Sequence, residues 1–117
     1  MRKRPKMFGL AAEETGGMAA LFKAIGDPTR QQILILLERG ERSVNEIVEH
    51  FKLSQPTISR HLGILFQTGL ISRRRDGQRV VYSLRPESVK CCCEDFFGNF
   101  DCCTPFFGGK GHHKKKR

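Results

Sequence analysis

The chain has 117 residues, a formal net charge of +9 and five cysteines. That length is one domain's worth of sequence and buries one modest core. No apolar run approaches the roughly 20 residues that a bilayer crossing takes, and the apolar stretch from Met7 to Ala12 is cut short by Glu13 and Glu14, too soon for a signal peptide. The expectation is a cytoplasmic protein without membrane contact.

Residues 1–17 read as a flexible basic arm or the start of a first helix. Met18 to Ile25 is the first clear helical segment, closed by Gly26. Asp27-Pro28 restarts a helix, because aspartate accepts from free N–H groups at the N-cap and proline suits the first helical position. Ile33, Leu34, Leu36 and Leu37 give it an apolar stripe, and Gly40 stands where a stop belongs. Ser43-Val44-Asn45-Glu46 matches a capping box and opens a helix carrying Val44, Ile47, Val48 and Phe51. After the short break Lys52-Leu53, Ser54 caps a helix from Gln55 to about Thr68, with Ile58, Leu62 and Leu65 as its buried stripe and Gly69 as its end. Two strand-like runs follow, Leu70 to Arg75 and Arg79 to Leu84, joined by the hairpin signal Asp76-Gly77. Pro86-Glu87-Ser88 opens a last helix that stops near Gly98-Asn99. The expected organisation is a domain over 18–100 and a cysteine-containing turn with a disordered basic tail over 101–117.

The fold class is therefore mainly α with a small β-hairpin. Helices 44–51 and 55–68, joined by so tight a turn, form a helix-turn-helix, and the basic hairpin after them is a wing. With Ile58 facing the core, Pro56 and Arg60 point nearly opposite, Thr57 and Ser59 lie on the flanks, and Gln55 reaches past the helix start. A recognition helix reads base edges with its N-terminal residues. Glutamine pairs with adenine and arginine with guanine, each contributing about 1–3 kcal/mol of discrimination. Arg73, Arg74, Arg75 and Arg79 suit phosphate or minor-groove contact. From Lys52 to Arg85 there are seven basic residues against Asp76 alone, and both ends of the chain are basic. A solubilising surface explains any one such run; the motifs favour a double-stranded DNA partner. His61, beside the buried stripe, reads as a packing residue rather than a ligand. No nucleophile–base pair, phosphate loop or paired carboxylates suggest an enzyme. A metal buffer would explain the cysteines but not the wing.

Phe22-Lys23-Ala24-Ile25-Gly26-Asp27-Pro28-Thr29-Arg30, then Leu53 to Leu62, Leu65 to Arg75 and Tyr82-Ser83-Leu84 resemble the ArsR/SmtB family of winged-helix repressors. The resemblance covers residues 18 to 90. It implies a homodimer joined through the first and last helices, operator binding, and derepression by an inducer. It places Gln55, Pro56, Ser59 and Arg60 where members contact bases and makes 73–79 the wing. The Cys-x-Cys pair that many metal-sensing members carry before the recognition helix has no counterpart in Ser43–Phe51, and the carboxylate–histidine zinc pattern is missing from 84–100.

All five cysteines fall between Cys91 and Cys103. Helical spacing puts Val89, Cys92, Cys93, Phe96 and Phe97 on one face and Cys91 away from it, beside Glu94 and Asp95. A fold-back after Gly98 brings Cys102 and Cys103 toward Cys92 and Cys93. Soft thiolates select thiophilic ions. As(III) or Sb(III) takes three thiolates; zinc or cadmium takes four, though the usual ligand spacing is missing. The resemblance includes arsenite-responsive members with cysteines near this position, which favours arsenic as inducer. Two other readings stay open: a redox or persulfide switch, and cysteines that merely pack, which leaves a non-sensing autorepressor. His112 and His113 are possible further ligands in the basic tail.

Overall fold

The computed structural model describes residues 17–107, and its elements start and stop where side chains serve orphaned backbone groups. Helix α1 is Met18–Ile25 and α2 is Pro28–Glu38. Asp27 caps α2 by accepting from the Arg30 N–H at 3.1 Å. The side chains that follow it cap α1 from the other side: Arg30 Nε donates to Ala24 O at 2.6 Å and Gln31 Nε2 to Ile25 O at 2.7 Å.

Helix α3, Val44–Phe51, begins with the full capping box: Ser43 Oγ accepts from the Glu46 N–H, and Glu46 Oε1 accepts from the Ser43 N–H at 2.8 Å. Lys52 ends it in the left-handed region (φ 57°), its N–H donating to Val48 O at 2.7 Å. That conformation costs a non-glycine residue about 1–2 kcal/mol, so packing on both sides holds the turn. Ser54 caps α4, Gln55–Thr68, and Gly69 closes it at φ 83°.

The wing strands are β2, Ile71–Asp76, and β3, Arg79–Leu84, turning at Gly77 (φ 67°). Strand β2 thus starts one residue later than the sequence suggests: the Leu70 carbonyl still accepts from the Arg85 N–H at 2.9 Å, but the Leu70 N–H turns back to Thr68 Oγ1 at 3.3 Å. The hairpin also has an unforeseen third strand: β1, Arg42–Ser43, pairs antiparallel with β3, Arg42 opposite Tyr82 and Ser43 opposite Val81. The order is β1-β3-β2. Helix α5 is Pro86–Phe97. The segment expected to be a turn and then disordered is instead a 3-10 helix over Asp101–Phe107 that contains Pro105. The basic arm 1–16 and the tail 108–117, with Lys110, His112 and His113, lie outside the described residues.

Leu21 of α1, Ile33 of α2, Ile47 of α3, Ile58, Leu62 and Leu65 of α4 and Ile71 of β2 are buried together. All these elements therefore press on the inner face of α4, which leaves its outer face to solvent. No helix among the described residues is long and apolar enough to cross a membrane.

Candidate nucleic-acid interface

Ile58 is 0% exposed, while Gln55, Pro56, Thr57, Ser59 and Arg60 are all exposed. The wheel read from the sequence is therefore the geometry of α4. Ser54 Oγ accepts from the Thr57 N–H at 3.3 Å and donates to Thr57 Oγ1 at 2.9 Å, so the Thr57 hydroxyl is held in the cap rather than aimed outward. Gln55, Ser59 and Arg60 make no side-chain hydrogen bond among the described residues and are free to meet a ligand.

The four wing arginines are not equivalent. Arg73 lies with its guanidinium 4.0 Å over the Phe66 ring. Arg74 pairs with Glu41 at 2.6 Å, and the same carboxylate accepts from Ser83 Oγ at 3.4 Å. Arg79 pairs with Asp76 at 3.3 Å across the hairpin. Arg75 is exposed and forms no ion pair among the described residues. Both wing ion pairs are half-exposed, so each contributes about 0–1 kcal/mol and yields readily to a phosphate. Glu41 and Phe66 were missed by sequence reasoning: Glu41 lies 33 residues from Arg74, and Phe66 meets Arg73 only because the chain turns from α4 into β2.

His61 is half-buried, as expected of a packing residue, but it also has a partner: Arg30 Nη1 lies 3.2 Å from its Nδ1.

The cysteines do not converge. Among the described residues no group of three or more His, Cys, Asp or Glu side chains is placed to hold an ion. Cys102 Sγ and Cys103 Sγ lie 3.9 Å apart on the 3-10 helix. Cys91 is exposed and donates to Asp95 Oδ2 at 3.6 Å, as its position away from the apolar face implies. Cys92 is buried in the core, and that burial, reinforced by Cys93 and Asp95, pushes its thiol up to about 12. Burial also raises Cys93 and Cys103. The fold-back does occur, but it is aromatic: Phe96 meets Phe22 of α1 at 4.8 Å, Phe97 at 5.1 Å and Phe100 at 5.4 Å, all edge-on. Phe97, Phe100 and Phe106 stay exposed at this end, Phe106 by 79%.

Comparison with known proteins agrees with this geometry. The family profile described as bacterial regulatory protein, arsR family, matches residues 27–73, from the Asp27 cap to the first arginine of the wing. A probable mercury resistance operon repressor of Streptomyces lividans is 41% identical over 93 residues, covering 74% of this chain and 74% of the relative. The transcriptional repressor SdpR of Bacillus subtilis (strain 168) is 52% identical over 67 residues, 57% of this chain and 74% of the relative. A crystal structure of a possible transcriptional regulator for arsenical resistance superposes with a TM-score of 0.61 at 31% identity, covering 73% of this chain and 90% of that one.

Proposed function

The chain belongs to the bacterial arsR family of DNA-binding transcriptional repressors, and on that premise we propose that it is a cytoplasmic homodimer which inserts α4 of each protomer into the major groove of an operator and is released by a thiophilic ion at its C-terminal cysteines. The observation that carries the DNA half is the exposed row Gln55, Pro56, Thr57, Ser59 and Arg60 at the start of a helix whose opposite face is wholly buried. Gln55 and Arg60 read base edges; Arg73, Arg74, Arg75 and Arg79 hold phosphate or the minor groove. The exposed rings of Phe97, the last residue of α5, and of Phe100 just beyond it support the dimer, because an apolar surface of this kind needs a cover.

The inducer half rests on the donor chemistry. Thiolates bound to a tetrahedral ion at about 2.3 Å stand roughly 3.8 Å apart, and Cys102 and Cys103 at 3.9 Å fit one edge of such a set. Cys91, Cys92 and Cys93, from the same protomer or its partner, are the candidates for the remainder. As(III) or Sb(III) needs one further thiolate, zinc or cadmium two. The names of two relatives, concerned with mercury and arsenical resistance, point to the same class of ion. Because bound thiols must be deprotonated, uptake releases protons and strengthens as pH rises. A coupling of about 1–3 kcal/mol, 5–150-fold in affinity, empties an operator.

The test is fluorescence anisotropy on a fragment of the chain's own promoter, with fully reduced protein titrated with arsenite, antimonite, cadmium and zinc. Operator affinity falls at least about fivefold with the cognate ion, and a variant with Cys92, Cys93 and Cys102 changed to Ser binds DNA without responding. Unchanged affinity with every ion removes the inducer half. Equal affinity for promoter and random duplex removes the DNA half.

A further inference from the structure

The Arg30 guanidinium, carried by α2, joins that helix to both α1 and α4. It projects from the first turn of α2. Its Nε donates to Ala24 O at 2.6 Å and its Nη2 reaches Lys23 O, which also accepts from the Gly26 N–H, at 3.5 Å, two carbonyls of the last turn of α1. Its remaining arm, Nη1, reaches Nδ1 of His61, on the second turn of α4, at 3.2 Å. Arginine has no acceptor, so the ring must accept: Nδ1 carries the lone pair and the proton sits on Nε2. The backbone of Arg30 is fixed in turn by Asp27, whose carboxylate accepts its N–H at 3.1 Å.

This bond does something the core cannot. Ile58, Leu62 and Leu65 hold α4 against the body of the protein, but an apolar stripe tolerates rotation and sliding, since burial has no direction. A hydrogen bond to a planar fork does have direction. It lies one residue from Arg60 and within two turns of Gln55, on the part of the helix that meets DNA.

We propose that Arg30 and His61 are positioning residues for operator recognition, with Arg30 setting the rotation of the reading helix by tying His61 to the end of α1. The inference rests on α4 being the groove-reading helix. It adds that operator affinity is controlled from a contact that itself touches no DNA. Because α1 also meets α5 through Phe22 and Phe96, the same guanidinium adds a directional link, beside the apolar packing of α1 on α4, between the cysteine-bearing helix and α4.

The experiment compares wild type with Arg30→Lys, His61→Leu, His61→Asn and the double variant Arg30→Lys/His61→Leu. The readouts are operator binding, random-duplex binding and thermal midpoint. Lysine keeps the charge but loses the fork; leucine keeps bulk but loses the acceptor; asparagine puts an oxygen where Nδ1 was. Arg30→Lys and His61→Leu should each weaken operator binding by about three- to thirtyfold, as expected for groups in direct contact. Random-duplex binding should hold within about twofold, since phosphate contacts alone set it. The double variant should be no weaker than the worse single one, and His61→Asn should recover most of the loss. Ring 15N shifts of the neutral wild-type imidazole should place the proton on Nε2. Wild-type operator affinity in folded His61→Leu, additive losses in the double variant, or an Nδ1–H ring would overturn the inference while leaving the DNA reading intact. Failure of the wild type itself to distinguish operator from random duplex would sink both.

Discussion

The Arg73 guanidinium lies 4.0 Å above the Phe66 ring, which ties the wing strand to the last turns of the helix that it follows. A cation over an exposed aromatic face contributes about 0.5–1 kcal/mol. Phe66→Leu keeps the apolar contact with the core and removes the ring face. We expect unfolding in urea to show a loss of that order, together with a more mobile Arg73 side chain in NMR relaxation.

Arg75, with no ion pair among the described residues, is expected to behave as a phosphate contact and Gln55 as a base contact. Arg75→Ala should weaken binding to all duplexes alike and lower the slope of log affinity against log salt by about 1. Gln55→Ala should cost about 1–3 kcal/mol on the operator and nothing on random sequence. Parallel titrations at several salt concentrations separate the two.

Leu62 is fully buried where α4 meets the body of the domain. Leu62→Ala should destabilise the fold by about 2–5 kcal/mol, since the cavity relaxes only in part. Chemical denaturation measures this directly. An effect under 1 kcal/mol would mean that α4 is not seated as described.

Two helix caps make stability fall in acid. The Arg30 N–H and the Arg30 charge hold Asp27 below its ordinary 3.8, and the Ser43 N–H holds Glu46 below its ordinary 4.5. Both carboxylates are depressed in the folded state, so their contribution is complete above those ordinary values and is lost as pH falls through the lower folded ones. Asp27→Asn and Glu46→Gln should each lower stability at neutral pH, leave it little changed in strong acid, and so flatten the acid limb of a stability–pH curve. A limb as steep as wild type in both variants would count against the capping geometry.

Burial holds the Cys92 thiol at about 12 against an ordinary 9.0. Its raised value means that stability is retained below pH 9.0 and declines as pH climbs from there toward 12. In the ion-free protein near neutral pH, iodoacetamide should label the exposed Cys91 and Cys102 well before Cys92. Peptide mass mapping over a time course reads the order, and an excess of cadmium should protect whichever thiols bind it.

The helices and the wing were legible because their signals are local. Asp27, Ser43, Ser54 and Gly69 each mark a boundary within a turn of the residues they serve, and the apolar stripe of α4 alone shows which side of it faces solvent. Strand β1 was not legible, since two residues carry no alternation; it exists because β3 offers an edge beside it. The Arg30–His61 and Arg74–Glu41 contacts join residues 31 and 33 apart, and nothing in a linear pattern distinguishes them from other charged pairs. The cysteine segment shows the limit most clearly. Spacing placed Cys91 apart from Cys92, but the expected meeting of three or four thiols is not formed among the described residues; the chain after α5 packs through Phe96 on Phe22, Phe97 and Phe100, contacts that the cysteine spacing does not encode.

Strand β2 pairs with β3 on one side only, so its other margin carries open backbone donors and acceptors. Such a margin is an invitation to a neighbouring chain, and three consecutive guanidinium-bearing residues along it, Arg73, Arg74 and Arg75, repel any copy that approaches in the same way. The wing's charge therefore opposes self-association, beside the phosphate contact proposed for it. A triple Gln replacement made to abolish operator contact would also strip this protection, so light scattering has to accompany any claim that such a variant has lost only its grip on DNA.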